Sequence, residues 1–379
     1  MKLNFGIGEE WRNLKTFQKL SDEDRSIVFY AENKASMNHF RTLMTELTEV
    51  KGLKICYVTS VKNDKILSNN NEKILTYFIG DGVARTKFFI ELKTKILIMD
   101  MPDLNSFHIK RSKVFPVHYI YIFHSMFSIH SYLRKGAIDN YDTVFCVGKH
   151  HLDEILEIEK IYDLKPKKLI EYGFGRLDTL LNEKEEVFQN NLEGNLIIMT
   201  PTYGKDNFLK SCGIEIINIL LDSNFKVLLR PHFRIFQETP ELIDKIKKKF
   251  EDYKNFRLED GVISKEDFHS SKCLISDWSG ISMEYAFVFE RPVIYIDVPQ
   301  KIMNEEMEKI SLDRLEVSIR KKIGYVINPE NLNDIPKILT KIDNGSRAEE
   351  IRQIRSQTVF NIGKSAKIGA EYIVKILNN

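Results

Sequence analysis

The sequence predicts an α/β fold of two successive doubly wound domains with a helical C-terminal tail. Three observations lead there. Short apolar runs alternate with helical patterns through most of the 379-residue chain. The runs are unbroken rather than alternately polar, the mark of parallel strands covered on both faces. The alternation also stops at a charged stretch in mid-chain and then begins again.

In the first half the strand-like runs are SIVFYA (26–31), KICYVTS (54–60), ILTYFIG (74–80), KILIMD (95–100), YIYIFHS (119–125) and DTVFCVG (142–148). Helical stretches at 37–50, 82–92 and 150–162 separate several of them, His150 and His151 being read as the surface start of the last. The break falls in LLNEKEEVFQNNLEGN (180–195), rich in charge and Asn. The second half repeats the plan with NLIIMTP (195–201), KVLLRP (226–231), FRLED (256–260), KCLISD (272–277), PVIYID (292–297) and GYVINP (324–329). Helices are expected at 211–223 and 240–253, and from about Leu332 the pattern is helical to the end. The expected domains are a Rossmann-like acceptor domain over 1–185, a Rossmann-like nucleotide-donor domain over 186–345, and helices over 346–379 packing back on the first. Ligands of such folds bind outside the carboxyl ends of the strands, here in the crevice expected between facing domains.

Bulk properties exclude several classes. The formal charge is +2, so no global basic signal calls for nucleic acid, and the local clusters 165–168, 245–249 and 319–322 read as solvated faces. Cys56, Cys146, Cys212 and Cys273 are widely spaced in apolar runs, which fits buried thiols in a reducing compartment. The N-terminus lacks the uninterrupted apolar core of a secretory signal, and no apolar run reaches membrane-spanning length. The expected location is the cytoplasm, with peripheral contact at the inner face of the plasma membrane open to the mixed basic and aromatic stretch 107–123; that stretch reads equally as a loop and a core strand.

Residues just past strand ends then carry the functional signal. Thr200, Pro201 and Thr202 follow LIIM; Arg230, Pro231 and His232 follow VLL, with Arg234 two residues on; His124 and Ser125 end YIYIF. Ser276, Asp277, Trp278, Ser279 and Gly280 follow CLI and open a helix carrying Ser282 and Glu284. A helix N-terminus with Gly and Ser offers amide donors and a positive dipole end to a phosphate; the plainer alternative is a capped helix serving its own backbone. Arginines flanking His232 suit phosphate oxygens. His124 has the chemistry of a general base toward a hydroxyl. No metal ligand set is expected.

These strand ends resemble the CDP-glycerol glycerophosphotransferase family, the teichoic acid primases and polymerases and related bacterial capsule enzymes. The likeness lies in IIMTPTYG, VLLRPHF and CLISDWSGISMEYAFVFERPVIYID, where Asp277 and Ser279 match the family's Thr/Ser-Asp-Tyr-Ser-Ser segment while Trp278 and Gly280 depart from it. In YGFGRLDTLL (172–181), Arg176 and Asp178 match a Gly-x-Pro-Arg-x-Asp segment. The family's His-Gly-Thr-Pro motif is matched only at His124. The resemblance implies a GT-B architecture and transfer of glycerol phosphate or another polyol phosphate from a CDP-linked donor to a cell-surface polysaccharide or lipid-linked acceptor. It implies His124 as the acceptor-side base and His232 as the group that meets the donor phosphate. Thr200, Pro201, Thr202, Arg230, Asp277, Ser279 and Gly280 are implied in the donor site, with Ser125, Arg176, Arg234, Ser276, Ser282 and Glu284 around them. Neither a cofactor nor a metal is implied, and a cytidine nucleotide is the favoured donor. The missing Gly-Thr-Pro keeps a nucleotide-sugar glycosyltransferase of lipopolysaccharide or capsule synthesis as an alternative, beside a non-catalytic nucleotide-binding scaffold of polysaccharide assembly and a nucleotide-sugar epimerase.

Overall fold

A computed structural model describes residues 8–187, 194–261, 263–300, 302–342, 345 and 347–378. The chain forms two compact units: Met1–Thr179 with Asn304–Leu312 and Thr358–Asn379, and Leu180–Met303 with Asp313–Gln357. The sequence places the boundary at 185/186; the units divide at Thr179, inside a helix that runs Gly175–Val187. Of the expected break, residues 188–193 lie outside the described residues.

The first unit holds seven parallel strands: β1 (Ile27–Ala31), β2 (Ile55–Thr59), β3 (Ile74–Phe78), β4 (Ile96–Met99), β5 (His118–Ile122), β6 (Thr143–Cys146) and β7 (Lys168–Glu171). Their spatial order is β3-β2-β1-β4-β5-β6-β7. β1, β2, β4 and β6 are buried along their whole length, which is why they read as continuous apolar runs. The sequence misses β7, an edge strand with exposed Lys168 and Glu171 at its ends. One core cluster joins Phe29, Phe40, Leu43, Ile98, Phe145 and Tyr172 to Ala370 and Ile373 of the helix Ser365–Leu377. The preceding helix, Ala348–Thr358, lies almost wholly in the second unit.

The second unit repeats the plan with β8 (Leu196–Thr200), β9 (Lys226–Leu229), β10 (Phe256–Leu258), β11 (Ser271–Ser276), β12 (Val293–Ile296) and β13 (Gly324–Ile327). Its order is β10-β9-β8-β11-β12-β13, again all parallel. Ile197, Met199, Leu229, Ile275 and Ile294 from four strands pack with Ile216, Leu220 and Ile246 from the covering helices. In both units the strand order reverses beside the first strand, between β1 and β4 and between β8 and β11. Doubly wound sheets bind ligands at that reversal, outside the carboxyl ends of the strands.

All four cysteines are buried and unbridged. Among the described residues no helix is long and apolar enough to cross a membrane. The stretch 107–123 is a loop followed by β5, with Phe107 and Val114 exposed.

Candidate functional site

Parallel register sets Thr200 beside Ser276 at the reversal in the second unit. Both side chains are buried and bond to each other: the Thr200 hydroxyl donates to Ser276 Oγ at 3.2 Å, and Ser276 Oγ donates to the Thr200 carbonyl at 2.8 Å. Asp277, one residue further, is only 1% exposed. Its Oδ1 accepts the amides of Thr202 (2.9 Å) and Trp278 (2.8 Å), and its Oδ2 accepts that of Phe208 (3.2 Å). Burial raises the Asp277 carboxyl to about 6, against the pull of those amides. Thr200, Ser276 and Asp277 thus hold the loop that leaves β8. Their side chains face protein, where the sequence expectation had them lining the site.

What this scaffold presents is the turn Ser279-Gly280 and the helix Ile281–Phe289. The Ser279 carbonyl accepts both the amide (3.1 Å) and the hydroxyl (2.7 Å) of Ser282, closing the first turn. The amides of Ser279, Gly280 and Ile281 donate to nothing among the described residues, nor does the half-buried Ser279 hydroxyl. Three donors at a helix N-terminus, backed by its dipole, make an anion cradle. Glu284 is half-buried on the same helix.

Across the reversal, Pro231 ends the β9 segment and His232 caps the helix Phe233–Glu238. Its Nδ1 accepts the Arg234 amide at 3.2 Å, so in the neutral ring the proton sits on Nε2. The ring stacks on Tyr203 (4.4 Å) and Phe233 (4.5 Å), and the Arg234 guanidinium lies 4.7 Å from the Tyr203 ring centre. Arg230 is tied through Nε to the Gly261 carbonyl at 3.0 Å. The His232 amide reaches the Pro201 carbonyl at 3.2 Å, bringing the β8 and β9 ends together.

One residue of this group escaped the sequence reading. Arg320, read with its neighbours as a solvated basic face, is 4% exposed, and its guanidinium lies 4.0 Å from the centre of the Trp278 ring. It also pairs with Asp297 at 2.9 Å, while Trp278 Nε1 donates to the Val298 carbonyl at 2.7 Å. A cation set between a tryptophan face and a carboxylate fixes the far wall of the SDWSG turn. Lys167, from another such cluster, is likewise buried, 3.4 Å from Glu159.

In the first unit, His124 follows β5. Its Nδ1 lies 3.0 Å from the Asp100 carbonyl, which only accepts, so Nδ1 carries the proton. Nε2 therefore accepts from the Tyr132 hydroxyl at 2.6 Å. Burial lowers the His124 pKa, leaving a neutral ring with a basic Nε2 near neutral pH. Ser125 is half-buried, and its Oγ accepts the Phe127 amide at 3.2 Å. The segment behind it is clamped by the helix Lys149–Ile161: His150 and His151 donate from Nε2 to the carbonyls of Met126 and Phe127, both at 2.9 Å, and Glu154 accepts the Ile129 and His130 amides. His151 is fully buried, correcting its expected place on a helix surface. Arg176 is half-buried at the start of the helix Gly175–Val187, while Asp178 accepts the Gly363 and Ser365 amides and the Ser365 hydroxyl, anchoring the last helix of the chain.

The chain does contain one Asp-x-Asp tripeptide, Asp22-Glu23-Asp24. It precedes β1, and its aspartates pair with Arg25, Lys93 and Lys54, away from the strand ends described above.

Residues 14–302 match the family described as CDP-glycerol:poly(glycerophosphate) glycerophosphotransferase. The chain belongs to this family. As a glycerophosphotransferase family member it is a transferase drawing on a nucleotide-activated donor. No curated protein matches it in sequence. Among solved structures, the S. aureus MnaA–UDP co-structure is similar over 93% of this chain and 97% of its own, at 14% identity and a TM-score of 0.60. UDP-GlcNAc 2-epimerase from Neisseria meningitidis, bound to UDP-GlcNAc, matches over 92% and 99% at 12% identity and a TM-score of 0.58. A glycosyltransferase from Rickettsia africae matches over 93% and 99% at 12% identity and a TM-score of 0.53. These likenesses, with the two parallel sheets, establish the expected GT-B-type α/β fold.

Proposed function

We propose that this glycerophosphotransferase family member moves glycerol phosphate, or another polyol phosphate, from a CDP-linked donor to a hydroxyl of a cell-surface polysaccharide or lipid-linked acceptor. The observation that carries the reading is the Ser279–Ile281 turn, whose amides stand undonated at a helix N-terminus beside the reversal in strand order. A donor diphosphate is the anion that such a cradle fits.

In this reading the acceptor hydroxyl attacks the phosphorus that carries the glycerol. The Tyr132 hydroxyl passes its proton to His124 Nε2 and takes the proton of the attacking hydroxyl. The bond from that phosphorus to the bridging oxygen breaks, and CMP leaves with the electron pair. Main-chain amides, Arg230 and the Nε2 proton of His232 meet the charge that develops there. No cofactor or metal is given a part, and turnover that survives EDTA is the expected result.

The test is direct. CMP and CDP should raise the unfolding temperature more than UDP or GDP, and CDP-glycerol should be consumed with release of CMP. A preference for UDP or GDP would favour the sugar-transfer reading, whose own support is the Ser-Met-Phe sequence that replaces Gly-Thr-Pro after His124. Nucleotide binding without turnover of any donor would leave only the scaffold reading. Peripheral membrane contact belongs to the same proposal, supported by exposed Phe107 and Val114 near Lys110 and Lys113; failure to co-sediment with anionic vesicles at low salt would remove it.

A further inference from the structure

His39 is the third residue of the helix Met37–Thr45, which follows β1 at the reversal in the first unit. The side chain is 6% exposed, yet its Nδ1 has no hydrogen-bond partner among the described residues. Buried imidazole nitrogens are ordinarily satisfied, because an orphan forfeits its hydration without return. The ring stands edge-on to His124, 6.3 Å between centres, with the Phe174 ring 5.9 Å away on another side. His124 and Arg176 are the charged or chargeable groups that act on it, and both disfavour its protonation.

Basic side chains from three elements are therefore neighbours: the rings of His39, after β1, and His124, after β5, face each other edge-on, and Arg176, opening the helix after β7, acts electrostatically on His39. Among the described residues no carboxylate is a cause of the His39 pKa shift, and the Asp100 contact with His124 is made through its main-chain carbonyl. Both His124 nitrogens are already engaged, by the Asp100 carbonyl and the Tyr132 hydroxyl. The His39 ring, with one nitrogen lacking a partner, and the Arg176 guanidinium are the groups that suit an anion with several acceptor oxygens. We propose that His39 and Arg176, beside the His124 ring, form an anion subsite in the first unit that takes a phosphate group of the acceptor chain. Naming the acceptor as its source rests on the transferase reading above. A phosphate held beside His124 would set the terminal hydroxyl of a phosphate-bearing acceptor next to its base.

The experiment titrates the full chain calorimetrically with glycerol 3-phosphate, alone and with saturating CDP. Binding that CDP does not displace is expected; no binding, or displacement by CDP, overturns the proposal, the latter by assigning the subsite to the donor. His39→Leu removes the orphan nitrogen while keeping an apolar volume, so the unfolding temperature should hold or rise. Its affinity for glycerol 3-phosphate should fall at least about tenfold, the scale of one charge-assisted hydrogen bond, with CDP affinity unchanged. Arg176→Gln, at a half-buried site, supplies the same reading should the first variant fold poorly. Undiminished affinity in a folded variant of either residue overturns the subsite. With acceptor and CDP-glycerol, the KM for acceptor should rise while the KM for donor holds. Phosphate binding that is lost in the variants, in a protein that never consumes CDP-glycerol, would remove the transferase reading and leave the subsite standing.

Discussion

The Asp277 carboxylate accepts the main-chain amide of Thr202 at 2.9 Å, so a residue at the end of β11 holds the loop that leaves β8. The same group takes the Phe208 amide at 3.2 Å through its other oxygen. The turn whose amides stand undonated begins two residues later, at Ser279.

Asp277→Asn keeps the shape of this side chain and loses its bonding. An amide has one acceptor oxygen, and its NH2 would point at a main-chain N–H that needs an acceptor. With the site buried, the expected cost is about 2–4 kcal/mol of unfolding free energy, measured by denaturant titration. Nucleotide affinity should fall with it, because the turn and the β8 loop share this anchor. A variant as stable as the parent would show that the loop is held by other means.

Ser279→Asp tests the cradle without disturbing its scaffold. A carboxylate before the helix can accept the same amides that a phosphate would, and a negative charge is favourable at that end. The unfolding temperature should therefore stay level or rise. Binding of a nucleotide diphosphate should weaken about 100-fold, since like charges about 4 Å apart repel by several kcal/mol at a protein surface. Unchanged affinity, read by calorimetry, would mean that the turn holds no phosphate.

Most of the sheet was legible because it is buried on both faces. β1 to β6, β8, β9 and β11 to β13 each left an apolar run; the short edge strand β10 was read from FRLED despite its exposed Arg257, whereas β7 ends in exposed charges at a sheet edge and left almost none. The candidate site is drawn from the strand ends that the sequence singles out, while the bonding of its side chains was not legible there. Asp277 stands in the motif, yet sequence alone does not say that its oxygens face three amides rather than a ligand. Arg320 sits 42 positions from Trp278 within Ile-Arg-Lys-Lys, and only the fold turns that arginine inward onto the ring. His39 lies in an ordinary amphipathic helix; its signal is the missing partner, which no spacing encodes.

The same missing partner has a consequence for pH. Burial first, then the neighbouring His124 and Arg176, lowers the His39 pKa from 6.5 to about 3. A histidine depressed in the fold contributes stability that is full above the unfolded value and is lost as pH falls toward the folded one. Between about pH 6.5 and 3 the unfolded ring takes up a proton that the folded ring refuses. Asp100 and Asp277 act in the opposite sense: burial raises them to about 7 and about 6, so their contribution is full below 3.8 and fades as pH rises through those values. They are common to the parent and to His39→Leu, and cancel in the difference. Unfolding free energy measured in urea from pH 7 to 4 should fall less steeply in the variant, by at most about 1.4 kcal/mol per pH unit. Parallel profiles would mean that the ring takes its proton in the folded protein as readily as in the unfolded one, and the buried, neutral state assigned to His39 would not hold.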